Sequence, residues 1–214
     1  MHEVLEHIAA RGVVSILRGV EPSRVVPVGR ALLAAGVASV EVTLNSDAAL
    51  DGITALRREL GGAIPVGAGT VMDEAAARAA IAAGAMYLLT PHLAEDVLAA
   101  ATAAGVPAVV GTMTPSEAVR AWRLGAEMVK VFPAGTLGPN YFRELKGPLP
   151  QIRTMAVGGV NATNAGDFIR AGATAVGAGS QLVDMAAVNR GDWEAVRIKA
   201  AEMVAAVRQA KDNR

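Results

Sequence analysis

Apolar and polar positions along this chain alternate between two rhythms. Amphipathic stretches with helical spacing end in a small-residue turn and give way to short, continuously apolar runs. The joint occurs as "LLAAGVASVEVTL", "IAAGAMYLLTP", "ATAAGVPAVVGT", "WRLGAEMVKVFP" and "IRAGATAVGAGS". In each, a glycine (Gly36, Gly84, Gly105, Gly125, Gly172) falls where a helix C-terminus favours a residue tolerant of left-handed backbone. The run that follows has the length and β-branched content of a buried strand. Adding "VVSILR" (13–18), "IPVGAGT" (64–70) and "RTMAVGG" (153–159) predicts eight strands. Helices are predicted over 22–35, 47–60, 73–83, 94–104, 114–124, 139–146, 161–171 and 191–210.

Eight alternations, spaced by roughly 20 to 25 residues, fit an α/β fold of the closed (β/α)8 TIM-barrel type. An open doubly wound sheet is the competing arrangement. Residues 2–11 predict an extra N-terminal helix that plugs the base of the barrel. No Pro/Gly/Ser linker or charge block divides the chain, so residues 1–214 read as a single domain.

Composition narrows the partners. Twenty basic and twenty acidic residues give zero formal charge, so no basic field suggests nucleic acid. Two tryptophans, two tyrosines and three phenylalanines leave little with which to stack bases. A small-molecule role fits better. The absence of cysteine excludes disulfides and thiolate-bound metal and suits a cytoplasmic protein. The segment "MHEVLEHIAARG" has acids and no apolar signal core, and the longest apolar run, Ala79 to Leu89, is too short to span a bilayer.

Chemistry enters through parity. Of four lysines, Lys130 alone lies inside an apolar strand, "EMVKVF", sharing a face with Met128 and Phe132, apolar neighbours expected to keep its amine neutral. In "SVEVTL", Glu41 and Thr43 share a face, and in "VVSILR" Arg18 aligns with Ile16 and Val14. One choice of faces turns Lys130, Glu41, Thr43 and Arg18 into the barrel. An unpaired buried ammonium costs several kcal/mol, which a lowered pKa avoids by neutralising the amine. A neutral amine is a nucleophile suited to Schiff-base formation with a carbonyl. The bland alternatives are a buried Lys130–Glu41 ion pair or a lysine whose stem snorkels to the rim. Arg18 could fork onto a carboxylate or phosphate, or remain a solvated rim arginine.

Two glycine clusters, "VGGV" (157–160) and "GAGSQL" (177–182), end the last two predicted strands. Loops at these ordinal positions, with the N-terminus of a short extra helix, favour a phosphate, and "SQLVDMAAV" reads as that helix with Ser180 adding a hydroxyl. "GAGTV" (67–71) places Thr70 at a third glycine-rich strand end, without the G-x-G-x-x-G context of a dinucleotide site. His92 reads as a solvated loop histidine, and no spacing of His, Asp and Glu makes a metal cage.

Together "SILRG", "EVTLNS", "GAGTV", "LLTP", "GTMTPSEA", "VKVFPA", "AVGGV" and "GAGSQL" resemble the class I 2-keto-3-deoxy-6-phosphogluconate and -phosphogalactonate aldolases, over residues 13–185. The resemblance implies a (β/α)8 barrel, a homotrimer, no cofactor, and cleavage of a keto-deoxy phosphosugar acid to pyruvate and glyceraldehyde 3-phosphate. It assigns the Schiff-base lysine to Lys130, the acid/base glutamate to Glu41, substrate binding to Arg18, the threonine near the pyruvyl carboxylate to Thr70, and the phosphate contacts to Gly158, Gly159, Gly179 and Ser180. Pro91 would line the pocket.

Two departures from the gluconate-type pattern are Asn45-Ser46, where many relatives carry an arginine, and Val157, where they carry a threonine. Both resemble the phosphogalactonate branch, whose substrate is epimeric at C4. 2-Keto-3-deoxy-6-phosphogluconate or 4-hydroxy-2-oxoglutarate is the alternative substrate. Rivals from other classes are an epimerase or isomerase with Lys130 as an electrostatic clamp, and a non-catalytic barrel that binds a phosphometabolite.

Overall fold

In a computed structural model, which describes residues 1–213, the chain forms eight strands and ten helices. Helix α1 (Glu3–Arg11) precedes β1 (Val13–Leu17), α2 (Pro22–Ala34), β2 (Ser39–Thr43), α3 (Ala49–Leu60), β3 (Val66–Gly69), α4 (Glu74–Ala82) and β4 (Leu88–Leu89). Then follow α5 (Glu95–Ala103), β5 (Ala108–Thr112), α6 (Pro115–Arg123), β6 (Val129–Val131), α7 (Ala134–Lys146), β7 (Thr154–Val157), α8 (Ala165–Arg170), β8 (Ala175–Ala178), α9 (Met185–Arg190) and α10 (Trp193–Asp212). The strands pair in parallel and in chain order, and β8 closes on β1. The fold is a (β/α)8 TIM barrel, and the open sheet is excluded.

Local chemistry sets the joints. All five glycines read as helix-to-strand joints have positive φ, from 67° at Gly105 to 115° at Gly172. Helix starts are capped by short polar side chains: Asp73 accepts from the Ala76 N–H, and Thr114 and Glu117 form a reciprocal capping box.

Two separate apolar layers result. The larger lies between strands and helices, with Val40, Val66, Val110, Val129 and Val176 pointing outward onto helical residues such as Leu32, Ile53 and Phe168. The smaller fills the barrel with Val14, Ile16, Tyr87, Leu89, Val109, Met128, Met155 and Val157, joined from below by Val4, Leu5 and Ile8 of α1. Helix α1 is therefore the base plug. Burying Leu5 and Ile8 completely contributes about 2 kcal/mol each.

Three boundaries differ from the sequence reading by more than two residues. Helix α7 begins at Ala134, five residues early, because Gly138 (φ 74°, ψ 166°) interrupts it and splits a first turn from the helix read at 139. Helix α8 begins at Ala165, because the Asn161 side chain accepts from the Thr163 and Asn164 N–H groups and makes a turn first. The short helix after β8 begins at Met185, not Ser180.

Candidate active site

The barrel mouth holds a cavity of about 480 Å³, lined by Arg18, Glu41, Thr70, Pro91, Lys130, Val157, Gly158, Gly159, Gly179 and Ser180. Every residue to which the family resemblance gives a site role thus meets in one place. Ile16, Val20, Phe132, Gln181, Val183 and Met185 also line it. Gln181 stood in the quoted "GAGSQL" run, but its direction carries no periodic signal.

Lys130 and Glu41 rise from β6 and β2, which lie four strands apart in an eight-stranded barrel and so face each other across it. Lys130 is 6% exposed and Glu41 1%. No ion pair within 4.0 Å joins them among the described residues, and Glu41 Oε2 is buried without a hydrogen-bond partner. The buried ion pair considered from sequence is therefore not formed. Burial pushes the Glu41 carboxyl up to about 7, against the pull of Lys130 and Arg18. Burial, with help from the Arg18 charge, holds the Lys130 amine below the ordinary lysine value, while Glu41 draws it back up. A carboxyl near 7 gives or takes a proton near neutral pH, and a lysine held below its ordinary value keeps more of its amine in the neutral, nucleophilic form.

Space for this arrangement comes from small residues. A Cβ on Gly69 would lie 1.4 Å from Glu41 Oε1, and one on Gly67 would lie 2.3 Å from the Tyr87 ring. Strand β3 (VGAG) therefore leaves room for the carboxyl and for the tyrosine in the interior. On β5, Gly111 lies beside Lys130 in register, and a Cβ there would strike the backbone of Pro91 and His92. That gap admits the loop carrying Pro91 to the cavity wall. The His92 side chain is exposed and does not line the cavity, while its carbonyl accepts from the Gly111 N–H at 3.1 Å.

Arg18 and Thr70 sit just past the ends of β1 and β3. The guanidinium donates from Nη1 to Asn45 Oδ1 at 3.1 Å and from Nη2 to Thr70 Oγ1 at 3.4 Å. Thr70 has φ 56°, a left-handed conformation that a β-branched residue rarely adopts. At the opposite edge, Gly158 (φ 90°) and Gly159 (φ 75°) make a turn that only glycine adopts readily. The Gly135 N–H donates to Gly158 O at 2.7 Å, seating the start of α7 on that turn. After β8, the N–H groups of Leu182 and Val183 both donate to Gly179 O at 2.8 Å, closing a second turn.

Three expectations change. The N-terminus of α9 is not open to an anion: the Asp184 carboxylate occupies it, accepting from the Ala186 and Ala187 N–H groups. Thr43 is buried but does not line the cavity; its hydroxyl donates to Leu17 O and bonds the Ser46 hydroxyl. Phe132 does not shield Lys130 as an apolar neighbour. It is 38% exposed, and its ring lies 5.1 Å from Nζ, where the π face favours the ammonium over the amine. Met128, on the same face, is fully buried.

A parallel barrel whose mouth sets a desolvated lysine opposite an isolated carboxyl is a β/α-barrel enzyme of the kind that works on small polar substrates. The chain belongs to the KDPG and KHG aldolase family, whose model matches residues 4–199. It is 35% identical over 180 residues to the KHG/KDPG aldolase of Escherichia coli strain K12, covering 84% of each chain. It is also 35% identical over 170 residues to the 2-dehydro-3-deoxy-6-phosphogalactonate aldolase of that strain, covering 79% of this chain and 83% of the relative. Among solved structures it resembles the KDPG aldolase of Legionella pneumophila, with pyruvate captured as a covalent carbinolamine (TM-score 0.87, 25% identity, 94% of this chain and 98% of that one). Among the described residues, no helix is long and apolar enough to cross a membrane.

Proposed function

We propose that this aldolase works through a Schiff base on Lys130 and that its preferred substrate is 2-dehydro-3-deoxy-6-phosphogalactonate. The observation that carries the mechanism is a buried lysine, without a carboxylate partner within 4.0 Å, across the cavity from a carboxyl raised to about 7. The covalent carbinolamine named for the Legionella relative supports it.

In this reading the Lys130 amine adds to the C2 ketone, and loss of water gives an iminium. The Glu41 carboxylate takes the C4 hydroxyl proton. The C3–C4 bond breaks, its electron pair forming the enamine, and glyceraldehyde 3-phosphate leaves as the aldehyde. Protonation of the enamine carbon from Glu41, then hydrolysis, releases pyruvate and restores the amine. The iminium is the electron sink. Arg18 and Thr70 meet the carboxylate end of the substrate, Pro91 and Val157 line its middle, and the turns at Gly158–Gly159 and Gly179–Ser180 take the phosphate.

The choice of epimer rests on Val157 and Asn45, both of the phosphogalactonate pattern, while relatives at equal identity carry both names. 2-Dehydro-3-deoxy-6-phosphogluconate or 4-hydroxy-2-oxoglutarate is the second reading. Turnover of the two C4 epimers decides between the phosphosugar substrates. Incubation with pyruvate and borohydride, followed by peptide mass mapping, tests the mechanism: an adduct on the Lys130 peptide is expected, and its absence would sink the Schiff base. On the family resemblance we also propose a homotrimer, to which the exposed Met72, Met113 and Trp122 offer apolar surface; sedimentation equilibrium checks it.

A further inference from the structure

We propose that Asn45 is a positioning residue for Arg18. It holds the guanidinium on the β2–β3 side of the mouth, where a keto-acid carboxylate is received, and keeps it away from the turn after β8. This rests on the aldolase mechanism proposed for Lys130 and extends it to a residue that does not itself line the cavity.

The backbone on both sides of Arg18 is already fixed from β2. Leu17 O accepts from the Thr43 hydroxyl at 3.3 Å, and the Gly19 N–H donates to Ser46 Oγ at 2.9 Å. The two hydroxyls are themselves bonded at 2.9 Å. What remains free is a long, exposed side chain, whose several rotors make its charge easy to misplace. Two acceptors on two different nitrogens, Asn45 Oδ1 on Nη1 and Thr70 Oγ1 on Nη2, fix both the position and the plane of the guanidinium. The Asn45 contact is the shorter, at 3.1 Å against 3.4 Å.

The alternative destination is close. Strand β1 pairs with β8 as well as with β2, and a Cβ on Gly179 would lie 3.5 Å from Ile16 O, so the Gly179–Ser180 turn abuts the strand that carries Arg18. An untethered Arg18 can reach that turn. Both acceptors are neutral, and no carboxylate pairs with Arg18 within 4.0 Å among the described residues. The guanidinium is thus aimed without being neutralised, so its remaining N–H groups and full charge face an incoming anion. An aspartate at this position would aim it equally well and cancel its charge.

A double-mutant cycle on the full-length protein tests this, reading pyruvate and inorganic phosphate binding by calorimetry. Asn45→Ala should weaken pyruvate binding roughly tenfold, the scale of a hydrogen bond to a charged group, and leave phosphate binding undiminished. Arg18→Ala should weaken pyruvate at least as much, and adding Asn45→Ala to it should cost nothing more. Should Asn45→Ala melt early, Asn45→Leu removes the acceptor at similar volume. Pyruvate affinity unchanged in the Asn45 variant, an equal further loss in the Arg18→Ala background, phosphate weakened in parallel, or no pyruvate binding by the parent would each overturn the assignment. Borohydride trapping on the same proteins keeps the two proposals apart: pyruvate bound without a Lys130 adduct refutes the Schiff base, while the coupling measured between Asn45 and Arg18 still decides the positioning role.

Discussion

Replacing Glu41 by glutamine removes one titration from the barrel and keeps the shape of the side chain. The carboxyl is 1% exposed, its Oε2 has no hydrogen-bond partner, and burial raises it from an ordinary 4.5 to about 7. Between those values the native protein binds a proton that the unfolded chain has released. Stability from this group is therefore intact below about 4.5, declines as pH rises, and is lost once pH passes about 7. At about 1.4 kcal/mol per pKa unit, the full effect is on the order of 3 kcal/mol. Most of it falls between about pH 5 and about pH 8.5. Glutamine has no such dependence, though its buried amide N–H₂ adds a constant cost of about 1–3 kcal/mol. Urea unfolding of both proteins at the two pH values, at one fixed protein concentration, separates the terms. The variant should gain roughly 2–3 kcal/mol on its parent as pH rises. A difference between the proteins that stays constant with pH to within about 0.5 kcal/mol would refute the raised carboxyl.

Lys130→Met should abolish the borohydride adduct, lower turnover by at least about a thousandfold and raise the melting temperature, since an apolar side chain replaces a desolvated amine. Gly69→Ala forces its Cβ onto the Glu41 carboxyl; it should cost about 1–3 kcal/mol in stability and most of the activity, measured by thermal melting and by pyruvate release. Val157→Thr should shift the ratio of kcat/KM for the two C4-epimeric substrates toward the gluconate type by roughly tenfold, read from progress curves on each.

The fold was legible in the sequence because its signals were local and repeated. Each joint glycine marked a helix end, and strand parity alone turned Lys130, Glu41 and Arg18 toward one cavity. Features that escaped depend on side chains reaching beyond their own period. Asp184 looked like part of a helix, yet its carboxylate caps the helix and occupies the expected anion end. The left-handed geometry of Gly138 hid an extra turn before Pro139. Asn45 stood out only as a departure from a pattern, because whether it clamps Arg18 depends on the strand beside it. Phe132 shares parity with Lys130, but parity says nothing of ring orientation, and the ring face proved to favour the charge it was expected to suppress.

Strand β3 contributes no functional group to the chemistry proposed for Lys130 and Glu41; it contributes vacancy. Gly67 and Gly69 admit atoms that belong to other strands, the Tyr87 ring below and the Glu41 carboxyl above. Reactivity in this barrel is therefore constrained by subtraction as well as by placement. A single methyl on a strand that need never touch a substrate is enough to evict the proposed proton carrier, so the smallest residues in the mouth tolerate as little change as the lysine proposed to react.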